Sequence, residues 1–227
     1  MRLFLFPVPP VIFLLSFIGM KEKLPVTTIF TDIGGVLLTN GWDRGSRRKA
    51  IDLFKLDDEE TEERHHLTFD TYEVGKITLD EYLSRTVFYK KRSFSRQVFK
   101  EFMYSQSKPF PEMLQLMQQL KKQYGVNIAV VSNEGRELAE YRISQFKMNR
   151  FVDFFIVSSF VHFRKPDADI FKIALDTAQV NPQQVLYLED RAMFVQVAET
   201  LGIKGLKHND HKSTCEKLAK WGFKLPG

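Results

Sequence analysis

From residue 27 onward, short continuous apolar runs alternate with longer segments in which apolar residues recur at helical spacing. Such runs, about four to eight residues long, are typical of strands buried on both faces of a parallel sheet. They predict strands at 27–38, 127–132, 154–157, 185–188 and, more weakly, 202–206. The amphipathic segments predict helices at 113–124, 135–146, 167–178 and 192–200. This alternation predicts βαβ units, and therefore an α/β fold with a parallel sheet flanked by helices.

Residues 41–107 interrupt the alternation, because they contain no strong strand-like run. Their acidic stretch at 57–63 is typical of a helix start, and Thr78 and Glu81 have the spacing of a capping box. A further helix is predicted at 93–104. We therefore expect a small helical domain over 41–107, inserted into a core made of residues 20–40 and 108–227.

Residues 1–19 form an apolar N-terminal extension. The uncharged run after Arg2 is similar to a signal peptide, but its three prolines disfavour a helix and it is shorter than the roughly 20 residues of a membrane span. Three interpretations stay open: a mis-assigned translation start, a signal or anchor, and an extra folded segment. We favour a true start at Met20 and expect a chain beginning there to fold and work normally.

Composition narrows the function classes. The chain has 44% apolar residues, enough for a globular core, and its formal charge of +5 contains no long basic block, so nucleic-acid binding is not indicated. The single cysteine excludes an internal disulfide and fits a reducing cytoplasm. We expect a cytoplasmic protein with no membrane partner, unless residues 1–19 are a real signal or anchor, in which case it is exported or membrane-anchored.

Polar side chains follow four of the predicted strands, at the sheet edge where open α/β sheets bind ligands. The residues are Asp32, Gly34 and Gly35 after the first strand, Ser132 and Asn133 at the end of the second, Lys165 after the third, and Glu189 and Asp190 at the end of the fourth. Together they supply a carboxylate, a hydroxyl, an amide, an ammonium and an acidic pair.

This set suits phosphoryl transfer, in which catalysis is mostly positioning and charge neutralisation. A carboxylate such as Asp32 can act as the nucleophile and form an aspartyl-phosphate. Because two anions repel, a hard cation must lie between them, and Mg²⁺ takes oxygen ligands of the kind that Asp32 and Asp190 provide. The N–H groups of Gly34 and Gly35 can approach phosphate oxygens, since no Cβ intervenes.

In order and spacing, these residues resemble the haloacid dehalogenase-like (HAD) hydrolases over about residues 27–206. That family opens with Asp-x-Asp-Gly-[Thr/Val], continues with a strand-end Ser or Thr and a Lys that often precedes Pro, and ends with an acidic pair. The resemblance implies a Rossmann-like core, with the insert at 41–107 as a helical cap of the family's first class. It implies that Asp32 attacks phosphorus while Ser132 and Lys165 hold the phosphoryl oxygens. It further implies Mg²⁺ bound by Asp32, Asp190 and the Gly34 carbonyl, with Glu189 as a further candidate.

Three departures from the family pattern matter. Gly34 replaces the second aspartate, which in the family protonates the leaving group and then activates water. A general acid–base factor of roughly 10²–10⁴ is therefore at stake, and we expect turnover to depend on leaving-group quality. Phe194 stands where many relatives have Asp or Asn, and Arg191 stands where Ser or Asn is frequent.

Each candidate also has a structural interpretation. Asp32 suits a turn, Lys165 suits a solvated loop, and Ser132 suits a helix cap, as do Asn133 and the Glu189–Asp190 pair. Trp42 lies in the loop after the first strand and either contacts substrate or packs the cap. We count Trp42 and Asn133 among the substrate-binding candidates, because the matching strand ends favour the functional interpretation.

Three functions compete. A Mg²⁺-dependent phosphatase acting on a small phosphorylated metabolite is favoured. A sugar phosphate is preferred because motif one, the Asp-x-Gly segment that begins at Asp32, resembles the family's sugar-phosphate phosphatases. An anomeric phosphate also needs less acid catalysis. A metal-free 2-haloacid dehalogenase shares the fold, but such proteins resemble Asp-x-Tyr-Gly-Thr at motif one and lack the acidic pair. A weakly active or non-catalytic binding protein is the third, since position 34 has lost its carboxylate.

Overall fold

The computed structural model describes residues 25–224, so the expectations for residues 1–19 fall outside the described residues. Within this range the sheet has five parallel strands in the order β3-β2-β1-β4-β5. The strands are β1 (Thr28–Thr31), β2 (Asn127–Ser132), β3 (Phe154–Val157), β4 (Val185–Glu189) and β5 (Lys204–Lys207). The predicted α/β fold with a Rossmann-like parallel sheet is confirmed, and its order places β1 at the centre.

The helices fall into a group between β1 and β2 and a group that connects the later strands. The first group is α1 (Arg44–Phe54), α2 (Asp58–Glu73), α3 (Leu79–Thr86), α4 (Arg96–Ser105) and α5 (Pro111–Tyr124). The second group is α6 (Arg136–Gln145), α7 (Ser158–Val161), α8 (Asp169–Ala178), α9 (Ala192–Thr200) and α10 (His211–Ala219). No helix among the described residues is long and apolar enough to cross a bilayer.

The sheet is buried on both faces, as its continuous apolar strands predict. One face packs against α5, α6 and α10, where Ile29 and Val130 meet Met117 and Leu218. The other face packs against α8 and α9 through alternate strand residues such as Phe30. Because both faces are covered by helices, the open edge at the carboxyl ends of the strands is left for ligands.

The first strand is shorter than the predicted 27–38. After Thr31 the chain turns, and the Ile33 carbonyl accepts hydrogen bonds of 2.9 Å from the N–H groups of both Leu37 and Leu38. The apolar run in 33–38 is fully buried within this turn rather than in the sheet. An apolar run alone does not distinguish a strand from a buried turn. As a result of this turn, residues 34–40 fold back beside Asp32.

The segment 41–107 contains α1 to α4, which build a hydrophobic cluster of their own around Tyr72, Tyr82 and Phe99. The predicted capping box is present, because Glu81 N–H donates to the Thr78 hydroxyl and Thr78 N–H donates to the Glu81 carboxylate. Leu138 of α6 also joins this cluster. The helical segment is therefore packed against the core beside the carboxyl edge of the sheet.

A short hydrogen-bonded chain runs through this cluster. Trp42 Nε1 donates to the Tyr82 hydroxyl at 3.0 Å, and that hydroxyl lies 2.8 Å from His65 Nδ1. Which of Tyr82 and His65 donates in the second hydrogen bond depends on the tautomer of the histidine. Burial, aided by the nearby Arg47 guanidinium, lowers the pKa of His65 to about 4.

We expect this histidine to make the protein acid-sensitive. The unfolded chain binds a proton at His65 near its ordinary pKa of 6.5, whereas the folded chain does so only near 4, so stability is lost as pH falls through this window. Between pH 7 and pH 5 the loss from His65 should be about 1–2 kcal/mol, after allowance for its partial exposure. Urea denaturation at both pH values should show a smaller loss for His65→Gln, while His66→Gln, on the exposed side of α2, should behave like the wild type. Equal losses in all three proteins would contradict the assignment.

Candidate active site

The carboxyl ends of β1, β2 and β4 bring four predicted residues to one place. Thr31 of β1 pairs with Val130 of β2 and with Leu188 of β4, so the residues that follow each strand are neighbours. Asp32 comes directly after β1, and its N–H donates to the Leu188 carbonyl at 3.0 Å. The strand order therefore places Asp32 between Ser132 and the Glu189–Asp190 pair.

Lys165 is the cation of this site. Its ammonium lies 3.0 Å from Asp32 Oδ1 and 2.7 Å from Glu189 Oε2, and only 1% of its side chain is exposed. It also donates to the Val131 carbonyl and the Tyr187 hydroxyl, each at 3.1 Å. A solvated loop lysine would make none of these contacts, so Lys165 is a buried, paired residue rather than a solvated one.

Burial dominates the electrostatics of the pair. Desolvation raises the pKa of Asp32, while the Lys165 ammonium lowers it and the Glu189 carboxylate raises it further. For Lys165, burial opposes the charge, but Asp32 and Glu189 together outweigh it and raise the pKa of the ammonium. Lys165 therefore stays charged. Its single positive charge does not offset the cost of burying the ionised Asp32 carboxylate beside Glu189.

A third carboxylate, that of Asp190, increases the excess of negative charge at this site. Oxygen atoms of Asp32, Glu189 and Asp190 all lie within 4.8 Å of one another. Three carboxylates against one ammonium leave two formal negative charges. Asp190 Oδ1 is buried with no hydrogen-bond partner among the described residues, which is costly unless a cation or water satisfies it. The donor set, all oxygen and doubly anionic, fits Mg²⁺.

The three carboxylates are not equivalent. Glu189 is fully buried, and its oxygens already accept from Lys165, from the Tyr187 hydroxyl at 2.5 Å and from the Arg191 N–H at 3.0 Å. Asp190 Oδ1 has no such partner among the described residues, whereas Asp32 Oδ1 lies 3.0 Å from the Lys165 ammonium. Glu189 is close enough to count as a ligand, but its hydrogen bonds direct it towards Lys165.

The two glycines differ from the expectation that both offer N–H groups to phosphate. The Gly35 N–H donates to the Leu38 carbonyl at 2.7 Å, so it is already occupied and that part of the prediction is wrong. Gly35 has φ of +75°, and a Cβ there would collide with Asp190 Oδ2. A glycine is needed at 35 because the chain turns in the left-handed region and passes against the carboxylate. Gly34 lines the open cavity.

Asn133 and Trp42 have partners of their own. The Asn133 amide donates to the Lys165 carbonyl and accepts from the Lys165 N–H, both at 2.8 Å, so it anchors the loop that carries the lysine. Trp42 is buried, lines the cavity and hydrogen-bonds to Tyr82. Ser132 is buried beside Asp32, and its hydroxyl lowers the pKa of that carboxyl.

A cavity of about 250 Å³ opens over Asp32, between the core and α1–α2. Its lining includes four residues whose site roles the sequence did not indicate: Glu73, Glu134, Arg142 and Arg164. They form two ion pairs, Arg142 with Glu134 and Arg164 with Glu73, the latter at 2.7 Å. Burial raises the pKa of Glu73 to about 7. Glu134 lies two residues after Ser132 and Arg164 directly precedes Lys165, so these two carried a positional signal, whereas Glu73 and Arg142 carried none.

Two family departures also lie at this cavity. The Phe194 ring centroid is 5.1 Å from the Lys165 ammonium, so an apolar aromatic ring covers the lysine where many relatives have a polar residue. Arg191 lines the cavity and is exposed. The first change removes a polar group from the site, and the second adds a cation near its entrance.

Comparison with known proteins gives one family. The sequence profile described as "Haloacid dehalogenase-like hydrolase" matches residues 53–207. Among curated proteins, "Bifunctional epoxide hydrolase 2" of Rattus norvegicus is 29% identical over 128 residues, which are 55% of this chain and 23% of that protein. "(S)-2-haloacid dehalogenase 4A" of Burkholderia cepacia is 24% identical over 106 residues, 47% of this chain and 46% of that protein. The matches thus span about a quarter and about half of those relatives.

Among solved structures, a "HAD family enzyme" of Bacteroides thetaiotaomicron, in complex with magnesium and inorganic phosphate, matches with a TM-score of 0.70. Its sequence is 21% identical, and the match covers 81% of this chain and 94% of that one. At this identity the likeness concerns the fold.

The ion cluster predicts a large effect of Lys165 on stability. Lys165→Met should lower the free energy of unfolding by about 3–5 kcal/mol in EDTA, because it leaves Asp32 and Glu189 as adjacent buried carboxylates without a cation. Lys172→Met, on the exposed side of α8, is the matched control. Urea denaturation measures both, and a loss below about 1 kcal/mol for Lys165→Met would show that the carboxylates are not held charged by the lysine.

Proposed function

Since the chain belongs to the haloacid dehalogenase-like hydrolase family, we propose that it is a Mg²⁺-dependent phosphatase. Its substrate is a small phosphorylated metabolite, with a sugar phosphate favoured, and hydrolysis proceeds through an aspartyl-phosphate on Asp32. The acidic pair at the end of β4 carries this proposal: a buried Asp190 oxygen that has no hydrogen-bond partner within residues 25–224 lies beside Asp32, in a cluster with two uncompensated negative charges. Such a cluster needs a cation, and a cation next to a nucleophilic carboxylate is what a phosphate dianion requires.

In the first step an Asp32 oxygen forms a bond to phosphorus and the bond from phosphorus to the leaving oxygen breaks. In the second step water attacks the phosphoryl group, the bond to Asp32 breaks, and inorganic phosphate leaves. Asp32 and Asp190, with the Gly34 carbonyl, would hold the Mg²⁺, which supplies neutralising charge between the carboxylate and the phosphate when bound. The solved neighbour from Bacteroides thetaiotaomicron, which is bound to magnesium and phosphate, supports this assignment.

The remaining residues position and neutralise. The Ser132 hydroxyl beside Asp32 is placed to donate to a phosphoryl oxygen. Lys165 keeps the Asp32 carboxylate oriented by an ion pair of 3.0 Å and adds a positive charge near the transferring group. Glu189 and Asn133 hold that lysine from opposite sides, one at its ammonium and one at its backbone. We assign these two residues to positioning rather than to direct phosphate contact.

The cavity favours a small leaving group. About 250 Å³ accommodates a phosphoryl group and a metabolite of sugar size. Trp42, Phe69 and Tyr72 give the cavity wall an aromatic part. Such a wall excludes water and gives a ring-shaped group a face to pack on.

A metal-free dehalogenase is the second candidate, since a curated 2-haloacid dehalogenase is among the relatives. In that reaction Asp32 attacks carbon, and no cation is needed between nucleophile and substrate. The Asp190 oxygen that has no hydrogen-bond partner in the described part of the chain favours the phosphatase over the dehalogenase. A weakly active binding protein would also keep the cluster, so turnover itself separates that third function from the first.

Asp32→Asn should abolish phosphatase activity, lowering kcat by at least about 10³-fold, because an amide cannot form the phosphoryl-enzyme. Release of phosphate from a panel of phosphorylated metabolites with Mg²⁺ measures this. Asp52→Asn, on the exposed side of α1, should keep full activity, and thermal denaturation should show both variants folded. Retention of most activity by Asp32→Asn would remove Asp32 as the nucleophile.

Activity should require Mg²⁺, and Asp190→Asn should raise the Mg²⁺ concentration needed for half-maximal rate by about 10-fold or more, because one anionic ligand is lost. Asp153→Asn, outside the site, serves as the control. A Mg²⁺ titration of the rate after EDTA treatment gives both values. If full activity persists in EDTA, the metal assignment fails, and turnover of 2-haloacids under the same conditions would establish the second candidate.

A further inference from the structure

Position 34 lacks the second carboxylate of the family, and its backbone does not explain the glycine. The described glycines with positive φ are Gly35, Gly41, Gly75, Gly125, Gly202 and Gly222. Gly34 is not among them, so its conformation is open to any residue. The reason for a glycine at 34 must therefore lie in the space around its Cα.

That space is filled by Asn40. A Cβ built on Gly34 would lie 2.9 Å from Asn40 Oδ1 and 3.5 Å from Asn40 Cα. The first distance is shorter than normal van der Waals contact. The Asn40 carboxamide thus stands where a side chain at 34 would begin, and both residues line the cavity that contains Asp32.

Asn40 is held there by the chain on both sides. The Thr39 N–H donates to the Lys108 carbonyl at 2.9 Å, and its hydroxyl donates to the Gln106 carbonyl at 2.8 Å. The buried Arg142 donates to the Thr39 carbonyl at 3.1 Å. On the other side the Trp42 N–H donates to the Asn40 carbonyl at 2.9 Å. These hydrogen bonds fix the backbone on both sides of Asn40, whereas its side chain is exposed and lines the cavity.

We propose that the Asn40 carboxamide takes the place of the missing second carboxylate and hydrogen-bonds to the leaving oxygen of the substrate. The proposal rests on the phosphatase function proposed above. An amide donates through its NH₂ group but has no ionisable proton to transfer. Asn40 therefore stabilises negative charge that develops on the leaving oxygen as its bond to phosphorus breaks, and that oxygen takes its proton from solvent after departure.

This chemistry selects a class of substrate. A hydrogen bond to the leaving oxygen without proton transfer suffices when the departing anion is already stable. It is insufficient for a simple alkoxide, where protonation contributes roughly 10²–10⁴-fold. The site thus fits phosphates on anomeric or phenolic oxygens and disfavours phosphates of ordinary alcohols.

The test compares Asn40→Ala, Gly34→Ala and the double variant on two probes, p-nitrophenyl phosphate and glycerol 1-phosphate, with Mg²⁺. Asn40→Ala should lower kcat/KM for glycerol 1-phosphate by about 10²-fold, in the range for loss of one donor to a developing oxyanion, and by less for the aryl phosphate. Gly34→Ala should cause a similar loss, since its methyl group displaces the amide. The double variant should be no worse than Asn40→Ala alone, because the group that the methyl displaces is gone.

Asn40→Asp is the variant expected to gain activity on alkyl phosphates. A carboxyl group at this place can give and take a proton, so the ratio of alkyl to aryl phosphate turnover should rise by about 10-fold or more over the wild type. Thermal denaturation identifies any variant that does not fold. Should Gly34→Ala fail to fold, the two Asn40 variants decide by themselves.

Three results would overturn the proposal: wild-type rates for Asn40→Ala on both probes, independent losses that multiply in the double variant, or an unchanged alkyl-to-aryl ratio in Asn40→Asp. These differ from failure of the phosphatase function itself. In that case the wild type would hydrolyse neither probe in Mg²⁺, and both proposals would fall together.

Discussion

The ion cluster of Lys165 between Asp32 and Glu189 is the constraint on which the site depends. A charge buried alone costs several kcal/mol, so each member requires the others to be in place. Adjacent strands β1 and β4 deliver the two carboxylates side by side, and the loop before α8 delivers the ammonium. Asn133 holds that loop through two hydrogen bonds. The folded sheet thereby places the negative charge that Lys165 does not neutralise at one point, next to Asp190.

The helical segment adds a second layer of charge over this cluster. Arg164 directly precedes Lys165 and forms an ion pair with Glu73 at the end of α2, so the helical segment is tied to the loop that carries the lysine. Arg142 is fully buried, pairs with Glu134 and also bonds to Thr39 at the junction of the two parts. These pairs fix the walls of the cavity, and a substrate enters a space whose cations are largely committed to protein carboxylates.

The chemistry available to this site depends on which of its groups already have hydrogen-bond or ionic partners and which do not. Asp190 Oδ1 has no hydrogen-bond partner among the described residues, Asp32 Oδ1 is paired with Lys165, and Glu189 is engaged in holding the same lysine. At position 34 the family's proton donor is absent, and the Asn40 amide occupies its space. On the proposal that Asn40 acts at the leaving oxygen, the enzyme would stabilise charge rather than transfer protons and would favour leaving groups that are stable as anions.

The sequence by itself determined the sheet and four of the five strands to within about two residues, and it predicted the helical segment and the polar residues that meet at one edge. Apolar runs and strand-end polar residues are local signals, and parallel strands must present their carboxyl ends together. Only the tertiary structure decided what each group contacts. The run 33–38 is a buried turn rather than a strand, and the Gly35 N–H donates a hydrogen bond to the Leu38 carbonyl. Glu189 accepts a hydrogen bond from the Lys165 ammonium. The ion pair of Glu73 with Arg164 joins separate segments, and no spacing in the sequence encodes such a contact, because packing between the segments sets it.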